Sequence, residues 1–175
     1  MTFKYFSGFS LENEKELFED YLVENDLTIS GFSYGAIKAF EYALTTKRRV
    51  DLLQLFSPAF FETKDEKFKR MQLMYYKKDE QSYCNTFLQN VSFPSKVNMK
   101  DYYKEATAQE LEELLYYKWD EKDLEELLNK GTKIEVYLGQ KDKIIDTTSA
   151  KEFFEKFATV YYIKEKGHIL KWVKK

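Results

Sequence analysis

The sequence predicts one α/β domain with a mainly parallel sheet of roughly five strands, and three observations predict it. Strand-like and helix-like runs alternate along the chain, as they do in βαβ units. The run "VDLLQLF" (50–56) is nearly all apolar, as a strand buried on both faces must be. After that strand the alternation stops for a long, charged, helical-looking stretch over 61–130, which suits a lid inserted into such a sheet.

Taken in order, "FKYF" (3–6) reads as a short strand ended by the turn "SGFS". "ENEKELFEDYLVEN" (12–25) reads as a helix with Leu17, Phe18, Tyr21 and Leu22 on one face and an acidic start that suits the helix dipole. "DLTIS" (26–30) is the second strand. Ala36, Ile37, Phe40, Ala43 and Leu44 then repeat at helical spacing. The third strand, 50–56, is stopped by "SPAF". Beyond the insertion, "KIEVYLG" (133–139) is strand, "TSAKEFFEKFA" helix and "TVYYIKE" (159–165) strand. The domain organisation expected is therefore a core of 1–60 and 131–175 carrying a helical lid at 61–130.

Bulk properties narrow the function. Hydrophobic residues make up 43% and charged residues 33% of 175, the balance of a globular chain able to bury a core. A net charge of −2 argues against a dedicated nucleic-acid binder. Cys84 is the one cysteine and His168 the one histidine, so neither an internal disulfide nor a zinc site is expected, and no metal or cofactor is called for. The N-terminal "MTFKYFSGFSLENEKE" has no long apolar stretch of the secretory kind, and no window suits a membrane span; the cytoplasm is the expected location. The first strand is followed by "SGFS" and not by a glycine-rich dinucleotide turn, and no phosphate-loop lysine motif exists, which removes nucleotide binding.

The chemistry lies in "TISGFSYGAIKAFEYAL" (28–44). Gly31, Ser33 and Gly35 form G-x-S-x-G where a β-branched strand turns into an Ala-rich helix. Such an elbow holds a serine in a strained conformation with its Oγ above the sheet, and the small flanking residues let neighbouring backbone approach. A serine hydroxyl needs a base, and the only imidazole, His168, follows the last strand in a loop. An imidazole needs a carboxylate to fix its tautomer. Asp142 follows the strand 133–139 directly, whereas Asp146, nearer the next helix, reads as an N-cap. Ser33, Asp142 and His168 thus sit at three carboxyl strand ends in the order Ser…Asp…His, the constellation of a serine nucleophile. Two backbone N–H groups are expected to hold an oxyanion: that of Tyr34, and that of Phe9 in the "SGFS" turn, for which a plain turn is the alternative.

Here the sequence resembles the α/β-hydrolase superfamily and, within it, the short BioV-type family of pimelyl-acyl-carrier-protein methyl ester esterases. "FSGF", "SGFSYGAIKAFEYA", "LLQLFSPAF", "FKRMQL", "KDEQSY", "KIEVYLGQKD" and "HIL" carry the resemblance. It implies a truncated α/β-hydrolase fold, since only about twenty residues separate the "SGF" loop from the elbow strand and the usual edge strands are missing. It also implies a serine esterase hydrolysing the methyl ester of pimelyl-acyl carrier protein in biotin-precursor synthesis. Ser33, Asp142 and His168 match the family's catalytic positions. The alternatives are a general short-chain carboxylesterase or thioesterase, and a non-catalytic binding protein of the same fold.

An acyl-carrier partner is acidic, so its dock is expected to be basic. Residues 62–78 hold six basic against three acidic side chains, while 101–129 hold three against ten. Lys67, Lys69, Arg70, Lys77 and Lys78 are the candidate carrier-binding residues; a solvated helix face, or pairing with the acidic segment, is the alternative. Phe60, Phe61, Met71, Met74, Tyr75 and Tyr76 are either acyl-channel lining or core.

Overall fold

The structure, a computed structural model, describes residues 3–173; positions 1, 2, 174 and 175, which the expected core range includes, lie outside it. Five strands, β1 (Lys4–Phe6), β2 (Thr28–Phe32), β3 (Leu52–Phe56), β4 (Lys133–Gly139) and β5 (Thr159–Ile163), form one sheet. They lie in sequence order and every neighbouring pair is parallel. Six α-helices accompany them: α1 (Tyr34–Thr45), α2 (Glu66–Lys78), α3 (Glu80–Ser92), α4 (Ala108–Tyr116), α5 (Glu121–Asn129) and α6 (Thr147–Phe154). Among the described residues no helix is long and apolar enough to cross a membrane.

The strand sequences explain the two layers. In β4, Ile134, Val136 and Leu138 enter the cluster under α1, α5 and α6, while Tyr137 enters a second cluster on the opposite face. Phe32 and Phe56 join Tyr137 there, and Phe18 stacks on Phe56 at 4.8 Å between ring centroids. The inner strand β2, flanked by β1 and β3, is buried at every position, as its β-branched and small residues require. Helix α1 buries Ala36, Ile37, Phe40 and Ala43 of the expected stripe against the first cluster, with Leu44 only partly buried there and Ala39 buried besides.

The helix expected over 12–25 is not formed. Only a 3-10 turn, Glu14–Phe18, is present, and the chain continues irregularly to β2. The reason lies on β3: the buried Gln54 side chain accepts from the Val23 N–H (2.9 Å) and donates to the Tyr21 carbonyl (2.9 Å). Backbone groups that a helix would pair internally find their partner on the sheet instead. The apolar side chains still reach their destination, with Leu17 and Phe18 buried and Tyr21 and Leu22 packed against them.

Between β3 and β4, α2 packs against α3 and α4, while α5 lies against α1 and β4. The segment shares the first cluster through Phe60, Phe61, Tyr76, Leu111, Leu114, Leu115 and Trp119. The Trp119 indole N–H donates to the Ala59 carbonyl (2.9 Å), and its ring meets Phe40 and Phe154.

Helix α6 begins at Asp146, whose side chain accepts from the Ser149 N–H (3.2 Å) and hydroxyl (2.7 Å), the capping role expected of it. Those bonds, the hydroxyl first, hold its carboxyl below the usual range. A depressed carboxyl contributes stability above its unfolded value and loses it as pH falls through the folded one. Asp146→Ala is therefore expected to cost about 1 kcal/mol in urea unfolding at pH 7. The gap from wild type should narrow as pH falls below about 4.

Candidate active site

β2 runs straight into α1 through Ser33, whose backbone sits at φ 55°, ψ −115°. A positive φ at a non-glycine residue is strained by about 1–3 kcal/mol, and it persists only where surroundings enforce it. Here the Ser33 N–H donates to the Phe56 carbonyl (2.9 Å), and its own carbonyl accepts from Ala36 and Ala59 (both 3.1 Å). The flanking glycines are obligatory. A Cβ on Gly31 would stand 2.1 Å from the Gly35 carbonyl oxygen, and one on Gly35 would stand 2.0 Å from that of Phe6. The tight elbow is thus wedged between β1 and the first turn of α1.

At the carboxyl ends of β4 and β5, two loops bring the other residues in. With its proton on Nδ1, His168 donates to Asp142 Oδ2 at 2.6 Å, and its Nε2 lies 2.9 Å from Ser33 Oγ, placed to accept the hydroxyl proton. Asp142 Oδ1 accepts from the N–H groups of Ile144 (2.6 Å) and Ile145 (3.0 Å), which fixes the carboxylate plane. The side chains of Asp142 and His168 are fully buried. Ser33 retains 5% exposure, enough to open onto a cavity. The three residues singled out from the sequence therefore form one continuous hydrogen-bonded chain.

Two supports of His168 escaped the sequence reading. Ser57 Oγ donates to the His168 carbonyl at 2.5 Å, so the residue that merely ends β3 in the sequence anchors a loop 111 positions away. The Phe32 ring lies 4.9 Å from the imidazole, limiting its rotation. Neither contact has a local sequence signal.

The cavity at Ser33 measures about 610 Å³, within the range of small-molecule sites. Phe9, Phe61, Phe87, Leu111, Leu114, Leu115 and Ile144 supply apolar walls, and Gln72, Lys78, Asp79, Asn90 and Lys143 supply polar groups. Of the aromatic and methionine residues that were either channel or core, Phe61 and Tyr75 line the cavity. Phe60 and Tyr76 are core, and Met74 is exposed.

Phe9 lines the same cavity as Ser33, and neither its N–H nor that of Tyr34 has a backbone acceptor among the described turns and loops. The Tyr34 hydroxyl points away, donating to Glu113 on α4 at 2.5 Å, with Lys38 on the same carboxylate at 3.2 Å. Burial, then the bond to Glu113, pushes the Tyr34 hydroxyl up to about 12.

Lys67, Lys69, Arg70, Lys77 and Lys78 all lie on α2. Arg70 faces Glu66 at 3.9 Å, Lys69 stands over the Tyr116 ring at 5.2 Å, and Lys78 lines the cavity.

No protein-family model matches the sequence, and no curated protein is significantly similar to it. Similarity appears at the level of structure. A hydrolase from Oleispira antarctica superposes with a TM-score of 0.70 at 12% identity, over 97% of this chain and 84% of its own. A carboxylesterase from the thaumarchaeon Nitrososphaera gargenis gives 0.65 at 14% identity, over 95% and 82%. BioG from Haemophilus influenzae gives 0.59 at 12% identity, over 95% and 88%. At these identities the likeness concerns architecture, and it is extensive: the chain has the α/β-hydrolase fold, reduced to a five-stranded parallel sheet.

Proposed function

We propose that this chain is a carboxylic ester hydrolase in which Ser33 is the nucleophile, His168 the general base and acid, and Asp142 the group that orients His168. The observation that carries this reading is the chain Ser33 Oγ–His168 Nε2 (2.9 Å) and His168 Nδ1–Asp142 Oδ2 (2.6 Å), built on a positive-φ serine. Ser33 Oγ attacks the ester carbonyl carbon as His168 Nε2 takes its proton. The carbonyl oxygen becomes an oxyanion held by the N–H groups of Phe9 and Tyr34. Collapse breaks the carbon–alkoxy bond, and the leaving alkoxide takes the proton from His168. Water then gives a proton to His168 and attacks the acyl-enzyme. The acid departs and Ser33 regains its proton. No step needs a metal or a cofactor.

The finer reading is that the substrate is the methyl ester of pimelyl-acyl carrier protein and that the leaving alcohol is methanol. The sequence resemblance to BioV-type esterases supports it, as does an apolar cavity that would take an acyl chain beneath α2–α4. The enzyme must cut the distal ester and spare the thioester to the carrier, so the chain has to enter methyl end first. The basic face of α2 is the proposed dock for the carrier. Reversing two of its charges, Lys67→Glu with Lys77→Glu, is expected to raise KM for the carrier-bound ester about tenfold. Steady-state kinetics should show a much smaller change for a p-nitrophenyl ester.

The deciding experiment incubates wild type and Ser33→Ala with pimelyl-carrier methyl ester and follows the free acid by mass spectrometry. Cleavage by wild type alone supports both levels of the reading. Hydrolysis of p-nitrophenyl esters without cleavage of the carrier ester would leave an ester hydrolase and remove the biotin-precursor role.

A further inference from the structure

Glu14 is fully buried, yet neither nucleophile, base nor orienting acid involves it. Its Oε1 accepts from the Gly8 N–H at 2.9 Å and from the Tyr5 hydroxyl at 3.0 Å, while its Oε2 is buried with no partner among the described residues. An unpartnered carboxylate oxygen in the interior is costly, so a purely stabilising role is a poor account of this residue. Its neighbours supply a better one. Gly8 immediately precedes Phe9, and Gly8 is held through the peptide units on both its sides: its N–H, in the Ser7–Gly8 unit, and its carbonyl, in the unit shared with the Phe9 N–H. The Gly8 N–H is fixed by Glu14, and the Gly8 carbonyl accepts from the Leu11 N–H at 3.2 Å. In a trans peptide the C=O and the following N–H point in opposite directions. Pinning the Gly8 carbonyl toward Leu11 therefore aims the Phe9 N–H the other way, with no backbone acceptor of its own in the described turns.

We propose that Glu14 is a positioning residue for the oxyanion site: it holds the Gly8 amide so that the Phe9 N–H stays directed at the oxyanion formed at Ser33. This inference rests on the ester-hydrolase reading of Ser33. Glu14 touches no substrate and acts through the loop. The loop is braced from outside as well, since the Ser10 carbonyl accepts from Lys104 (2.9 Å) and the Tyr102 carbonyl accepts from Glu12 (2.8 Å). Glu14 is the one side chain among these contacts that takes hold of the Gly8 amide.

The requirement is an acceptor oxygen at a fixed reach, and charge is secondary. Two variants separate these. Glu14→Gln keeps an oxygen in place and removes the charge, whereas Glu14→Asp keeps the charge and withdraws the oxygen by one methylene. The prediction is that Glu14→Gln stays within about threefold of wild-type kcat on a p-nitrophenyl ester. Glu14→Asp should lose about 100-fold in kcat with KM altered less than about twofold, because a misplacement near 1 Å at a reacting centre costs that much. A role of the carboxylate charge gives the opposite ranking, and a merely stabilising role leaves kcat of the folded enzyme unchanged in both variants. Activity of Glu14→Asp equal to wild type, or equal impairment of both variants, would overturn the proposal. Amide hydrogen exchange at Gly8 provides a readout apart from catalysis: protection should survive in Glu14→Gln and fall at least tenfold in Glu14→Asp. If wild type hydrolyses no ester, the reading of Ser33 fails and the Phe9 assignment with it, while the exchange data still report whether Glu14 holds the loop.

Discussion

Ser33→Ala is expected to lower kcat for ester hydrolysis by about 10⁵–10⁶-fold while leaving the fold intact. The size follows from losing the only atom positioned to attack. His168 and the oxyanion donors remain, but a water bound in place of Oγ lacks the covalent route that divides the reaction into two easier steps. Stability supplies a second test at the same position. Alanine is strained at φ 55° much as serine is, so Ser33→Ala should unfold close to wild type. Ser33→Gly relieves that strain and should be more stable by about 1 kcal/mol although equally inactive. Denaturant unfolding beside p-nitrophenyl ester kinetics checks both. A gain in stability accompanied by loss of activity is what a strained functional residue gives, whereas a strained turn serine without a catalytic role gives the first and not the second.

Gly35→Ala is expected to be among the most damaging single methyl groups for the fold. The added Cβ would meet the Phe6 carbonyl oxygen at 2.0 Å and that of Ser7 at 2.5 Å, and both belong to backbone. Flexible side chains can swing away from such a contact, but β1 and the start of the Phe9 loop cannot move without breaking the Phe6–Gly31 pairing. The expected cost is at least about 3 kcal/mol, in the range of severe overpacking. For a chain of this size that lowers Tm by about 6–12 °C. Thermal unfolding by circular dichroism measures it. A Tm within about 2 °C of wild type would mean that α1 and β1 are less closely apposed than the elbow geometry requires.

Much of the fold is written locally. The near-continuous apolar run of β3, the alternation in β4 and the helical stripe of α1 specify their elements within a few residues. The site was equally legible. G-x-S-x-G marks a turn whose steric demands are local, and a single histidine at a strand end leaves no competitor for the base. The failure at 12–25 has the opposite cause. Leu17, Phe18, Tyr21 and Leu22 have helical spacing, yet Gln54, 31 positions beyond Val23, captures the backbone groups that would have closed the helix. Ser57 and Glu14 were hidden for the same reason. One sits in "FSPAF" and the other in the acidic run "ENEKE", where nothing distinguishes them until the sheet brings His168 and Gly8 into reach.

The central claim is that Ser33 is a nucleophile activated by His168, and covalent labelling tests it most directly. A fluorophosphonate probe, incubated with wild type, Ser33→Ala and His168→Ala, is read by intact mass and by peptide mapping. The account predicts one adduct per chain on wild type, mapped to Ser33, no adduct on Ser33→Ala, and labelling slowed by at least about 10³-fold on His168→Ala. An unlabelled wild type, an adduct at another residue, or undiminished labelling without the imidazole would contradict it.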